Sequence, residues 1–132
     1  MPLLDGIKVL LLDDDADTRE ELSAGLEQQG AQVIEAASAQ AALLHVEEDR
    51  PDIVIAEVEM PEVDGWGFVR AMRKLGPERG GRTPAVALTD HNTPEDRIRS
   101  VTAGFVLHVA KPLAPAQLGD LIVAVLQTHP QA

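Results

Sequence analysis

Ile53-Val54-Ile55-Ala56-Glu57-Val58-Glu59-Met60-Pro61-Glu62-Val63-Asp64-Gly65 joins a short apolar run, rich in β-branched residues, to an acid, a proline turn and an Asp-Gly pair. A run of that length and composition predicts a strand buried on both faces. Glu57 is then a carboxylate delivered to the loop at the strand's C-terminal end, and Asp64-Gly65 opens a helix. Pro51 comes just before the strand, where its missing N–H does least harm.

The same pattern recurs on both sides. Upstream, Ile7 to Leu12 is apolar except for Lys8 and stops at Asp13-Asp14-Asp15. Thr18-Arg19-Glu20-Glu21 has the spacing of a capping box and predicts a helix start, with Leu22 and Leu26 on its inner face and Gly30 at its end. Val33-Ile34 centre a second strand. Ser38 caps a helix to about Asp49, with Ala42, Leu43 and Val46 inward. Downstream, Phe68, Val69, Met72 and Leu75 mark a third helix, and the Gly76–Arg82 stretch is the longest loop. Ala85 to Thr89 predicts a fourth strand. Thr93-Pro94-Glu95-Asp96 starts another helix, with Ile98 and Val101 expected to face inward and Gly104 to end it. Val106 to Ala110 makes a fifth strand, followed by Lys111-Pro112. Leu118, Leu121, Ile122 and Val125 repeat as i, i+3, i+4, i+7 in the last helix. Five strands alternating with five helices predict an α/β fold with one parallel sheet covered on both faces.

Composition narrows the function. The formal charge of −11 opposes direct contact with nucleic acid or an anionic membrane. Aromatics are 2% of the chain, which leaves little to stack on a base or a flavin. There is no cysteine, hence no disulfide and no thiolate metal site. No apolar run reaches the roughly 18 residues of a spanning helix, and the N-terminus has no leader pattern. A cytoplasmic protein of a single domain is the expectation.

The ordered landmarks Leu12-Asp13-Asp14, Glu57-x-x-Met60-Pro61 with Asp64-Gly65, Thr89, and Lys111-Pro112 resemble the response regulator receiver domain of two-component and hybrid histidine kinase systems. The resemblance runs from about Ile7 to Leu126 and makes the whole chain, 1–132, one receiver domain (core about 7–127) without an effector domain. It implies a flavodoxin-like, doubly wound sheet of order 2-1-3-4-5, whose ligands gather beyond the strands' carboxyl ends. It implies further that Asp14 is a direct Mg²⁺ ligand, that Asp13 holds the ion through water, and that Glu57 and the Glu59 carbonyl complete the site. Oxygen-only donors suit that ion. Thr89 and Lys111 would contact a phosphoryl group on the acid of residue 57, His108 would occupy an aromatic switch position, and the Lys111-Pro112 bond is typically cis in the family. The implied partners are a histidine kinase, a phosphotransfer protein or an output domain.

Three positions depart from the family pattern. The phosphoacceptor is Asp in the family and Glu57 here, which moves the carboxylate about 1.5 Å outward. In-line attack needs atoms within roughly 3–3.5 Å, so this displacement costs about a hundredfold or more. Asp90 stands where a small residue is usual and puts a negative side chain on the approach of an anionic phosphoryl group. His108 replaces Tyr or Phe; an alternative reading makes it a partly exposed strand residue with no switching role. A dimer through helix four, strand five and helix five commonly pairs acids with bases. Here Val106 and Leu107 fill the acidic positions and no Lys or Arg follows Lys111, so that charge-paired dimer has little to build with.

Two outcomes remain for Glu57. In one, the chain is a pseudo-receiver that works by protein–protein contact and is not an enzyme, with weak Mg²⁺ affinity at most and Glu57 either completing the site or salt-bridged to Lys111. In the other, it is a working phosphoacceptor through Glu57. A flavodoxin-like carrier is disfavoured because Asp13-Asp14-Asp15-Ala16-Asp17 repels phosphate, and a small aspartyl phosphatase because its Asp-x-Asp-x-Thr spacing is not met. Asp13-x-Asp15-x-Asp17 is not a calcium loop, having Thr18 and Ala24 where Gly and a bidentate Glu are needed. His45, His91 and His129 show no metal-ligand spacing and read as surface residues.

Overall fold

A computed structural model describes residues 2–129. Five strands, β1 (Lys8–Leu12), β2 (Gln32–Ala36), β3 (Ile53–Ala56), β4 (Ala85–Thr89) and β5 (Leu107–Ala110), alternate with α1 (Ala16–Gln28), α2 (Ala39–Asp49), α3 (Gly65–Arg73), α4 (Pro94–Ala103) and α5 (Pro115–Thr128). All pairings are parallel and the order is β2-β1-β3-β4-β5, the doubly wound flavodoxin-like arrangement expected.

Strand alternation divides the core in two. Leu10, Leu12, Val54, Ala56, Ala85 and Ala87 face α2 and α3, meeting Val46, Phe68, Val69 and Met72. Val9, Leu11, Ile53, Ile55, Val86 and Leu88 face α1 and α5, meeting Leu22, Leu26, Leu118, Ile122 and Val125. The alanines of β3 and β4 leave room for the large Phe68 ring on their side of the sheet. Among the described residues no helix is long and apolar enough to cross a membrane.

Three local expectations are corrected. Helix α1 begins at Ala16 with Asp15 at its N-cap, not at Thr18; the Thr18 hydroxyl instead donates to the Asp15 carboxylate. On α4, Ile98 and Val101 face solvent at 67% and 64% exposure, while Ser100 and Ala103 are buried. The residue turned inward is polar because it meets polar partners from α3 and β5, so the helix sits in a different rotational phase from the one its apolar residues suggest. Strand β5 starts at Leu107 rather than Val106. The long loop after α3 holds a single 3₁₀ turn, Pro77–Arg79. The expected caps at Ser38 and Thr93 are present, the latter as a full capping box with Asp96.

Candidate functional site

Register builds the site. Leu12 pairs with Ala56, so the next residues of β1 and β3, Asp13 and Glu57, emerge side by side. Thr89 pairs with Ala110, which sets Lys111 just beyond it. The peptide Glu57 N–H still donates to Leu12 O at 2.9 Å and Lys111 N–H to Thr89 O at 2.9 Å, so the ladder fixes both positions. Strand order places β1 and β3 at the centre of the sheet, with crossovers leaving to opposite faces, which opens a crevice at their carboxyl ends.

In that crevice the Lys111 ammonium joins two carboxylates. Its Nζ lies 2.8 Å from Glu57 Oε1 and 2.9 Å from Asp13 Oδ2, and all three side chains are largely buried. The second oxygen of each acid is satisfied by backbone. Glu57 Oε2 accepts the N–H groups of Val58 at 2.7 Å and Glu59 at 3.1 Å, and Asp13 Oδ1 accepts that of Asp15 at 2.9 Å. The extra methylene of Glu57 thus lets its carboxylate fold back onto its own loop. Thr89 is fully buried, and its hydroxyl accepts the His91 N–H at 3.1 Å. Burial alone would push the Glu57 carboxyl up, but Lys111, the Thr89 hydroxyl and the Glu59 amide outweigh it and hold the group below the usual glutamate range. Burial would likewise pull Lys111 down, and the two carboxylates more than compensate, leaving it above the usual lysine range.

The loop carrying Glu57 is clamped against α3. Gly65 N–H donates to Val58 O at 2.9 Å, and a Cβ on Gly65 would lie 2.1 Å from Glu57 O, so only glycine permits that approach. Asp64 caps the helix by accepting the Gly67 N–H at 2.8 Å. Above the crevice, the Glu59 side chain leaves the site to bridge His91 of the β4–α4 loop.

The sequence-predicted residues divide accordingly. Asp13, Glu57, Thr89 and Lys111 converge. Asp14 and Asp90 are exposed, and Asp90 lies with Thr18, Glu21, Lys111 and Gln117 along a groove of about 620 Å³ between α1 and the β5–α5 segment. His108 is buried rather than superficial and faces α3 and α4. The Lys111-Pro112 peptide is cis. Sequence reasoning missed Trp66 and Ser100, which bond to each other, Ser100 bonding in turn to His108; no local spacing links residues of three different elements.

A divalent ion fits this arrangement poorly. Magnesium favours one or two carboxylates in an open octahedral shell. Here an ammonium already sits between the two buried acids, Asp14 is exposed, and among the described residues no group of three or more His, Asp or Glu is disposed around a metal position. The donors as they stand suit a lysine cation.

Comparison with known proteins gives one answer. The family model described as the response regulator receiver domain matches residues 9–123. An uncharacterized 14.6 kDa protein from the sodA1 3′ region of Leptolyngbya boryana is 37% identical over 122 residues, 92% of each chain. The transcriptional regulatory protein PrrA of Mycobacterium tuberculosis is 31% identical over 91% of this chain, which spans only 50% of PrrA. Among solved structures, the chemotaxis response regulator CheY4 of Vibrio cholerae is 32% identical with a TM-score of 0.83, covering 91% of this chain and 98% of CheY4.

Proposed function

Because the chain belongs to the response regulator receiver domain family of two-component signalling, we propose that it is an atypical member, a pseudo-receiver. Glu57 stands at the phosphoacceptor position as a permanent carboxylate, and the domain acts by contact with a histidine kinase, a phosphotransfer protein or an output domain, without catalysis of its own. One observation carries this reading: every strong bond of the Glu57 carboxylate is already made, to Lys111 on one oxygen and to two loop amides on the other. A nucleophile held in that way must give up its lysine or its loop amides before it can swing toward an incoming phosphorus in line. Its charge is directed at the lysine that a phosphoryl group would otherwise engage. The imitation is partial, since a carboxylate carries one charge and a phosphoryl group about −1.5 to −2 with three acceptor oxygens. Asp90 supports the same reading by adding negative charge on the approach beside Lys111.

Magnesium binding under this proposal is weak. The ion must draw Asp14 inward and compete with Lys111 for Asp13 and Glu57. Titration with Mg²⁺ alone, followed at the Asp14 and Glu57 backbone amides, is expected to give small shifts without saturation at low millimolar metal. Tight saturable binding would contradict a lysine-occupied site.

The reading is tested by intact mass spectrometry after incubation with acetyl phosphate and Mg²⁺. The native chain is expected to gain no phosphoryl mass, whereas Glu57→Asp, with the shorter acid restored, gains one. A phosphoryl adduct on Glu57 of the native chain would make it a working phosphoacceptor and overturn the proposal.

A further inference from the structure

A second buried polar system lies on the α3–α4 side of the sheet, apart from the carboxylates. The Trp66 indole N–H of α3 donates to Ser100 Oγ of α4 at 2.9 Å, and that oxygen lies 2.7 Å from His108 Nδ1 of β5. His108 Nε2 faces two oxygens of the β4–α4 loop, His91 O at 3.0 Å and Asn92 Oδ1 at 2.9 Å. All three linked side chains are at least nine-tenths buried.

Donor counting fixes every hydrogen. An indole only donates, so Ser100 Oγ accepts from Trp66; with Nε2 facing only acceptor oxygens, Nδ1 of the neutral ring is left bare and takes the serine's own hydrogen. Asn92 donates its amide nitrogen to Thr89 O at 2.9 Å, which leaves its oxygen toward His108. Nε2 therefore carries the imidazole hydrogen and Nδ1 is a bare acceptor. A proton added at Nδ1 would meet the Ser100 hydroxyl head-on, and that hydroxyl's hydrogen would lose its only acceptor in a buried space. The chain of bonds is complete for neutral histidine and broken for charged histidine.

We propose that the Trp66–Ser100–His108 relay is a pH-sensitive latch, which in its neutral form ties α3, α4 and β5 to the β4–α4 loop and on protonation of His108 lets that loop and α4 go. The loop so held carries His91, whose N–H donates to the Thr89 hydroxyl at the end of β4 and whose ring bridges to Glu59, and α4 is the helix whose outer face shows Ile98 and Val101. Release would therefore alter both the crevice and the exposed apolar face. The proposal does not depend on whether Glu57 accepts a phosphoryl group.

The surrounding charges are few and mixed. From α4, Asp96 favours the charged form of His108, while Arg97, which donates to His108 O at 3.2 Å, disfavours it. From the end of β3, Glu57 favours it, as does the carbonyl of His91, a β4–α4 loop residue whose ring is bridged to Glu59. On α3, Arg99 of α4 covers the Trp66 ring at 4.0 Å and lies 3.9 Å from Asp64. Lys111 is engaged with Asp13 and Glu57. Burial dominates and holds His108 below the ordinary histidine range.

Trp66 is the chain's only tryptophan, so its indole N–H resonance and its fluorescence are single, assignable probes at this latch. Titrated between pH 7.5 and 5, the native chain is expected to show one shift of the indole N–H resonance, with a midpoint below the ordinary histidine value and unchanged helical circular dichroism. Long-range ¹H–¹⁵N spectra at pH 7.5 should show His108 protonated on Nε2. In Ser100→Ala the indole shift is lost while the His108 ring still titrates. In His91→Gln the shift persists. A flat indole signal, an Nδ1–H tautomer in the native chain, or a shift that survives Ser100→Ala or vanishes in His91→Gln would each overturn the latch.

Discussion

Glu57 and Lys111 are opposite charges whose ionisation each favours the other, so their contribution to stability has a definite pH window. A carboxyl held below its usual range binds protons more readily in the unfolded chain than in the folded one. Its contribution is complete above the unfolded value and is lost as pH falls through the lowered folded value. Lysine held above its usual range behaves in mirror image: its contribution is complete below the unfolded value and is lost as pH rises through the raised folded value. The pair therefore stabilises the fold across the interval between ordinary glutamate and lysine, about pH 4.3 to 10.4. Urea midpoints of the native chain and Glu57→Gln are expected to differ across that interval and to converge in acid. His108, whose neutral form is favoured by folding, adds a separate loss of stability below the ordinary histidine range, most of which is common to both chains. A difference that grows as pH falls would show that Glu57 is not held by Lys111.

At the scale of the helix, α4 shows where periodicity and burial part company. Its two branched apolar residues, Ile98 and Val101, point to solvent, and Ser100 turns inward to the indole and imidazole. Ile98→Ser is therefore expected to change stability by less than about 0.5 kcal/mol. Ser100→Ala strands the Trp66 N–H and should cost about 1–3 kcal/mol. Chemical denaturation of both variants decides it; the reverse ranking would mean that the inward face is the apolar one. The elements themselves were legible because the short apolar runs of β3 and β4 and the spaced apolar residues of α5 alternate in chain order. The phase of α4 was not, since its inward residue is chosen by partners on α3 and β5, which are 34 and 8 positions away. The start of α1 was misplaced for a related reason: Asp15 and Thr18 both suit a cap, and the structure uses Asp15 at the cap with Thr18 bonded to it. Of the site, Asp13, Glu57, Thr89 and Lys111 were named by the family resemblance, and they converge because register brings their strand ends together. Asp14, the next residue along from Asp13, is exposed.

Across the whole molecule, charge sets the background against which these contacts act. A formal −11 on 132 residues opposes compaction, while the few exposed ion pairs such as Arg19–Glu35 and Arg79–Glu47 offset little of it. Raising ionic strength from about 0.01 to 0.15 M shortens the screening length from about 30 to 8 Å. The melting temperature is expected to rise over that range, because repulsion is screened and the buried Asp13–Lys111–Glu57 cluster is not. A fall would show that surface ion pairs outweigh net repulsion.

That cluster is also where the pseudo-receiver reading stands or falls. Backbone amide spectra of the native chain, recorded in Mg²⁺ before and after addition of acetyl phosphate, probe it in the intact fold. If the Glu57 carboxylate is permanently committed to Lys111, the Glu57, Thr89 and Lys111 amides stay in place on addition, and the same amides move in Glu57→Asp. Movement of those three amides in the native chain, reversed as acetyl phosphate is exhausted, would contradict it.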